Sequence, residues 1–208
     1  MSESNDASAT PLTAVQSGSP QRNAVVAALG ARAIVLVGMM GAGKSSIGRR
    51  LASELGIPFV DADTEIEKAA GMSIADMFQS KGEPYFRAGE ARVIARLLDC
   101  GAQVLATGGG AFMNEQTRTL VRENGISIWL KADLDVLLRR IKRRVDRPLL
   151  QNGDPAVTLT QLLQQRDPVY AEADVTIQSR DVPHETIMTE IILALAEKLG
   201  VPRLGATP

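Results

Sequence analysis

Cysteine is nearly missing from this chain of 208 residues. Cys100 stands alone, so no internal disulfide framework can form, and a reducing cytoplasm is the expected compartment. Histidine is as scarce. His184 is the sole imidazole, which leaves a cysteine–histidine or serine–histidine catalytic pair almost no material. Cys100 falls in a helical pattern and reads as a small apolar residue. Net charge is lacking too. Lys+Arg 23 against Asp+Glu 24 leaves −1 overall, which does not point to nucleic acid or an anionic membrane. No apolar run is long enough to span a bilayer. The stretch Ala24–Ala33 contains Gly30 and Arg32, and Glu3 and Asp6 precede it where an export signal would carry positive charge.

What is present suits one α/β domain: 45% hydrophobic residues, a sufficient length, and short β-rich runs alternating with helical patterns. Residues 1–30 read as an unstructured tail, rich in Ser, Ala, Thr, Pro and Gln up to Asn23, with a short helix before the domain as the alternative for its last part. Residues 31–200 form the domain, and 201–208 read as a loose end. Strands are predicted at Ala33–Val37, Pro58–Val60, Gln103–Ala106, Ile126–Leu130 and Val175–Gln178. Helices are predicted at Ser45–Leu55, Thr64–Ala70, Ile74–Ser80, Glu83–Asp99, Asn114–Glu123, Leu134–Arg143, Leu159–Ala173 and Glu185–Leu199. This alternation implies a five-stranded parallel sheet covered by helices on both faces, with ligands outside the carboxyl ends of the strands.

The strongest motif is Gly38-Met-Met-Gly41-Ala42-Gly43-Lys44-Ser45, which matches G-x-x-x-x-G-K-[ST] between a predicted strand and a predicted helix. The glycines permit backbone geometries that side chains would block, and the helix N-terminus favours a phosphate chain. Lys44 supplies a cation for the β- and γ-phosphates, and the Ser45 hydroxyl is a Mg²⁺ ligand. The chain is therefore expected to bind a nucleoside triphosphate.

Other residues at predicted strand ends point to an acceptor. Asp61 and Asp63, one residue apart on an extended chain, would face the same way, one toward Mg²⁺ or its water and one toward a hydroxyl. The competing reading is a helix N-cap at Asp63 or Thr64, with Glu67 nearby. Arg87 can pair with Glu90 three positions on and lies near Phe78 and Phe86, a setting for a carboxylate-bearing ring rather than a solvated surface pair. Gly108, Gly109 and Gly110 allow close approach of the backbone to a ligand. Arg166, alone, is an ordinary helix arginine. The basic run Arg139, Arg140, Lys142, Arg143, Arg144 and Arg147 lacks interleaved aromatics and suits cations aimed at phosphates better than a nucleic-acid patch. Two segments look inserted: about 63–91, for the acceptor, and about 144–156, a lid.

The phosphate loop, Asp61-x-Asp63, Phe86-Arg87-x-x-Glu90, the glycine triplet, Arg147-Pro148-Leu149-Leu150 and Arg166-x-x-x-Tyr170 occur in the order and rough spacing of the shikimate kinases. The resemblance covers about residues 31–200. It implies the P-loop kinase fold and transfer of the γ-phosphoryl of ATP to the 3-hydroxyl of shikimate, a step toward chorismate and aromatic amino acids, in a cytoplasmic monomer that needs neither nucleic acid nor membrane. It implies nucleotide contacts at Gly41, Ala42, Gly43, Lys44, Ser45, Ser46, Arg140 and Arg147, with Mg²⁺ at Ser45 and Asp61. Shikimate would meet Asp63, Arg87, Glu90, Phe78, Phe86, the triplet and Arg166, and Lys44, Asp63 and Arg147 would carry catalysis. An adenine loop is expected near Ser179–Pro183. A kinase of another polyol acid such as gluconate, or a non-catalytic ATP-binding regulator, stays open as an alternative.

Overall fold

The computed structural model describes residues 20–142 and 154–202. Its centre is β1 (Ala33–Val37), whose five residues are all buried. A strand that is apolar at every position has no solvent face, so helices must cover both sides. Around it stand β2 (Phe59–Asp61), β3 (Val104–Ala106), β4 (Gly125–Lys131) and β5 (Val175–Gln178). All pairings are parallel and the order is β2-β3-β1-β4-β5. The chain builds β2 and β3 on one side of β1 and then crosses to place β4 and β5 on the other. That reversal opens a crevice at the carboxyl end of β1.

Helices α1 (Pro20–Leu29), α2 (Lys44–Leu55) and α9 (His184–Lys198) pack against one another. Elsewhere α5 (Glu83–Leu98) packs on α6 (Glu115–Asn124), and α7 (Leu134–Lys142) on α8 (Pro155–Tyr170). The acceptor insertion becomes α3 (Ala62–Ala70), α4 (Ile74–Lys81) and the first turns of α5. Ile66, Met77 and Phe86 form a small second core there.

Four expectations need correction. Residues 20–29 are helical rather than part of a loose tail, because Val25 and Leu29 are buried in the main core. Helix α8 starts at Pro155, where Asp154 caps it by accepting from Ala156 N at 2.8 Å, so the end of the expected lid segment is already helix. Asp63 does not share an extended strand with Asp61. It lies in the first turn of α3, and Asp61 is that helix's cap. Cys100 is exposed in the turn after α5, not packed as an apolar residue. The tail through residue 19, most of the lid with Arg143, Arg144 and Arg147, and residues 203–208 lie outside the described residues.

Candidate active site

A cleft of about 1480 Å³ runs along the carboxyl edge of the sheet. One end is the phosphate loop. Gly43 leads into α2 with φ 98°, a left-handed conformation that Cβ-bearing residues rarely adopt, and no side chain caps the helix. The first N–H groups of α2 are thus left to a ligand. Lys44 is buried and curls back over the loop, donating to Gly38 O at 2.7 Å and Met39 O at 3.0 Å. Its ammonium is already held where the phosphate chain would enter. Ser46 and Gly41 also line the cleft. Ala42 does not: its side chain is buried, and its carbonyl accepts from Ser179 Oγ at 2.8 Å.

Ser45 Oγ donates to Asp61 Oδ2 at 2.6 Å, which joins the start of α2 to the end of β2. Asp61 Oδ1 accepts from Asp63 N at 3.2 Å. One carboxylate thereby caps α3 and meets the loop hydroxyl, and the cap is Asp61 rather than the expected Asp63 or Thr64. A hydroxyl and a carboxylate at this separation are hard oxygen donors, and Mg²⁺ is usually held by one or two such protein groups together with substrate phosphates. The donor set fits that ion.

The other end of the cleft is built around the glycine triplet. Thr107 Oγ1 donates to Leu36 O at 3.0 Å, fixing the end of β3 to β1 just before the triplet. A Cβ on Gly108 would lie 2.9 Å from both Asp63 Oδ1 and Glu90 Oε1, and one on Gly110 would lie 2.5 Å from Arg87 Nη1. The triplet is empty of side chains because Asp63, Glu90 and Arg87 occupy that space. The close approach expected of a ligand is, first, an approach of the protein's own charged groups.

Arg87 donates to Glu90 Oε2 at 2.7 Å and to Glu83 Oε1 at 3.0 and 3.1 Å, and its guanidinium sits 5.0 Å from the Phe86 ring centre. Burial opposes its charge, but Glu90 and Glu83 outweigh that and raise its pKa. Burial is also the main reason the Glu90 carboxyl is pushed up. Arg87 pulls it down, and the charge of Asp63 adds to the rise. Phe78 and Phe86 meet at 4.7 Å between ring centres and form an apolar wall. Arg166, on α8, donates to Gly109 O at 3.1 Å. Arg87 and Arg166 therefore flank the triplet, although 79 positions separate them in the sequence (166 − 87).

Beside the phosphate loop, Arg140 of α7 reaches Ser179 Oγ at 2.9 Å, Arg180 O at 3.0 Å and Asp181 Oδ1 at 3.1 Å, and lies 3.4 Å from Gly41 O and Ala42 O. Arg139 pairs with Asp181 at 2.8 Å. These arginines are tied to the loop after β5 rather than displayed as a basic surface. Sequence reasoning missed Ser179 and Asp181 as individual residues, and it gave Tyr170 no role. Only proximity in space marks Ser179, since a lone serine carries no signal. Tyr170 was within a recognised motif and could have been questioned as a buried hydroxyl.

A parallel sheet with this strand order, a phosphate loop at its switch point and a polar acceptor pocket beside it define a P-loop kinase of a small molecule. A model of the shikimate kinase family matches residues 40–196. The chain belongs to the shikimate kinase family, whose members are phosphotransferases that use ATP. It is 62% identical over 192 residues to the shikimate kinase of Rhodopseudomonas palustris, covering 92% of this chain and 95% of that one. It is 63% identical over 175 residues to that of Bradyrhizobium diazoefficiens, covering 84% of each. The shikimate kinase of Acinetobacter baumannii, solved in complex with shikimate, superposes with a TM-score of 0.79 at 40% identity, over 84% of this chain and 99% of that one. A gluconokinase from Sinorhizobium meliloti, at 21% identity and TM-score 0.53 over 81% of this chain and 94% of that one, shares the fold alone.

Proposed function

We propose that this chain transfers the γ-phosphoryl group of ATP to the 3-hydroxyl of shikimate, giving shikimate 3-phosphate and ADP. The observation that carries the reading is the pair of arginines, Arg87 and Arg166, set against Gly110 and Gly109 within one cleft that also holds Lys44. Two guanidinium groups facing one pocket suit a ring that bears a carboxylate. Asp63 lies beside Gly108, where it can hold the acceptor hydroxyl. The hydroxyl oxygen bonds to the γ-phosphorus, the bond from that phosphorus to the bridging oxygen of ADP breaks, and the hydroxyl proton passes to Asp63. Lys44 and the α2 N-terminus offset the charge of the phosphate chain, and positioning supplies much of the rate. Mg²⁺, when bound at Ser45 and Asp61, would neutralise charge on the β- and γ-oxygens. The role of Arg147 on the phosphates rests on the family resemblance.

The single cysteine suits a cytoplasmic enzyme, and no helix among the described residues is long and apolar enough to cross a membrane. The pairing of Arg139 and Arg140 with Asp181 speaks against nucleic acid as a partner.

ADP release measured with shikimate, quinate and gluconate tests the function. Shikimate should be turned over fastest by a wide margin. Equal turnover of gluconate, or no shikimate-dependent ADP release, overturns the reading.

A further inference from the structure

Arg166 and Tyr170 lie one helical turn apart on α8, so their side chains share a face. Both reach the same atom: Arg166 Nη1 donates to Gly109 O at 3.1 Å, and the Tyr170 hydroxyl donates to that same oxygen. Tyr170 is fully buried. Its ring lies 5.8 Å from that of Trp129, and its hydroxyl oxygen is 4.0 Å from Met39 Sδ in the phosphate loop. A buried phenol in so apolar a setting needs a partner, and a peptide carbonyl has lone pairs for two donors.

We propose that Tyr170 is a positioning residue for the acceptor: it holds the half-buried Gly109 carbonyl so that Arg166 can turn to the substrate carboxylate without taking away that oxygen's last side-chain donor. The inference rests on the function proposed above. In the free protein Arg166 spends a donor on Gly109 O. Binding the carboxylate competes for the same guanidinium. With the phenol in place, the carbonyl keeps one hydrogen bond whichever way Arg166 points. Without it, each departure of Arg166 leaves a half-buried acceptor with no side-chain donor, a cost charged to substrate binding alone. Burial pushes the Tyr170 hydroxyl up to about 12, so it remains a donor across the pH range of any assay.

The test compares wild type with Tyr170→Phe, which removes only the hydroxyl. Wild-type turnover of shikimate is measured first, because its absence sinks the kinase reading, whereas the variant data bear on Tyr170 alone. Shikimate should bind about tenfold more weakly to the variant, with ATP affinity and kcat within about twofold. Trp129→Phe is the packing control and should lower the melting temperature without that selectivity. A second measurement needs no change at Tyr170. The chain has 2 tyrosines, and Tyr85 is exposed. With tyrosine labelled at the ring carbon bearing oxygen, and Tyr85→Phe used for assignment, the Tyr170 signal should move on adding shikimate and stay put with ATP. Equal weakening of both ligands, unchanged shikimate binding, or a Tyr170 signal that ignores shikimate overturns the proposal. Should Tyr170→Phe fail to fold, the labelled protein decides.

Discussion

Asp61 touches two elements at once: Oδ2 accepts from Ser45 Oγ at 2.6 Å and Oδ1 from Asp63 N at 3.2 Å. The end of β2, the first turn of α2 and the first turn of α3 are locked by a single carboxylate. Asp61→Asn preserves shape and leaves an amide oxygen to cap α3, but it removes the charge. The Mg²⁺ concentration needed for half-maximal ADP release should rise about tenfold, the lower end of what loss of a supporting metal contact costs. A magnesium titration of both proteins checks it. An unchanged requirement would show that Asp61 serves the fold and not the ion.

Gly110→Ala should be tolerated by the backbone, since φ −101° and ψ −13° suit any residue. The added methyl would lie 2.5 Å from Arg87 Nη1, so the guanidinium must move. Shikimate KM should rise about tenfold while ATP KM changes by less than about twofold, as expected when one charged contact is displaced. Steady-state kinetics with each substrate varied in turn decides it, and a matching rise for ATP would remove Arg87 from the acceptor pocket.

How much of this was legible beforehand depends on the range of the interaction. Strand β1 has the predicted bounds because a continuous apolar run between turn residues leaves few alternatives, and β5 because Val175 and Ile177 alternate with Thr176 and Gln178. Gly56, which caps α2 with φ 67°, follows from local chemistry. The phosphate loop was readable because all its parts lie within eight consecutive residues, Gly38–Ser45. The crowding of Arg87 on Gly110 was not, and neither was the bond from Tyr170 to Gly109. These are tertiary contacts between segments whose own sequences carry no mark of one another. Helix α1 stood only as the alternative to an unstructured tail for the same reason, since its helix formation depends on what it packs against.

Glu90 gives a pH prediction with a definite sign. Burial raises its folded pKa above the ordinary value of 4.5. The folded state therefore holds its proton more firmly than the unfolded chain, and the stabilisation this gives is full below 4.5 and lost as pH rises through the folded value. Glu90→Gln cannot titrate. Its melting temperature relative to wild type should thus improve as pH climbs from acidic to neutral. Melting curves at several pH values check this, and a gap that widens against the variant with rising pH would mean that the ion pair with Arg87 outweighs burial.

Deleting residues 1–29 removes Val25 and Leu29 from the core, together with the ion pair of Arg22 with Glu54. Burial of each aliphatic side chain is worth about 1.5–3 kcal/mol. At about 2–4 °C per kcal/mol for a chain of this size, the melting temperature should fall by about 10 °C. Calorimetry against a chain lacking only residues 1–19 isolates the helix. Equal melting of the two would show that α1 adds nothing to the domain.

The order β2-β3-β1-β4-β5 has a consequence for how the chain leaves the ribosome. Ile34 pairs with Val104 on one side and with Ile126 on the other. When synthesis has passed β3, a half-sheet of β2, β3 and β1 is available, with β1 as its open border. That border is wholly apolar, the kind of edge to which other nascent chains adhere. It stays bare until β4 emerges. The strand that leads into the phosphate loop is thus an open apolar edge of the half-made protein, and its protection depends on how quickly the next twenty or so residues are translated.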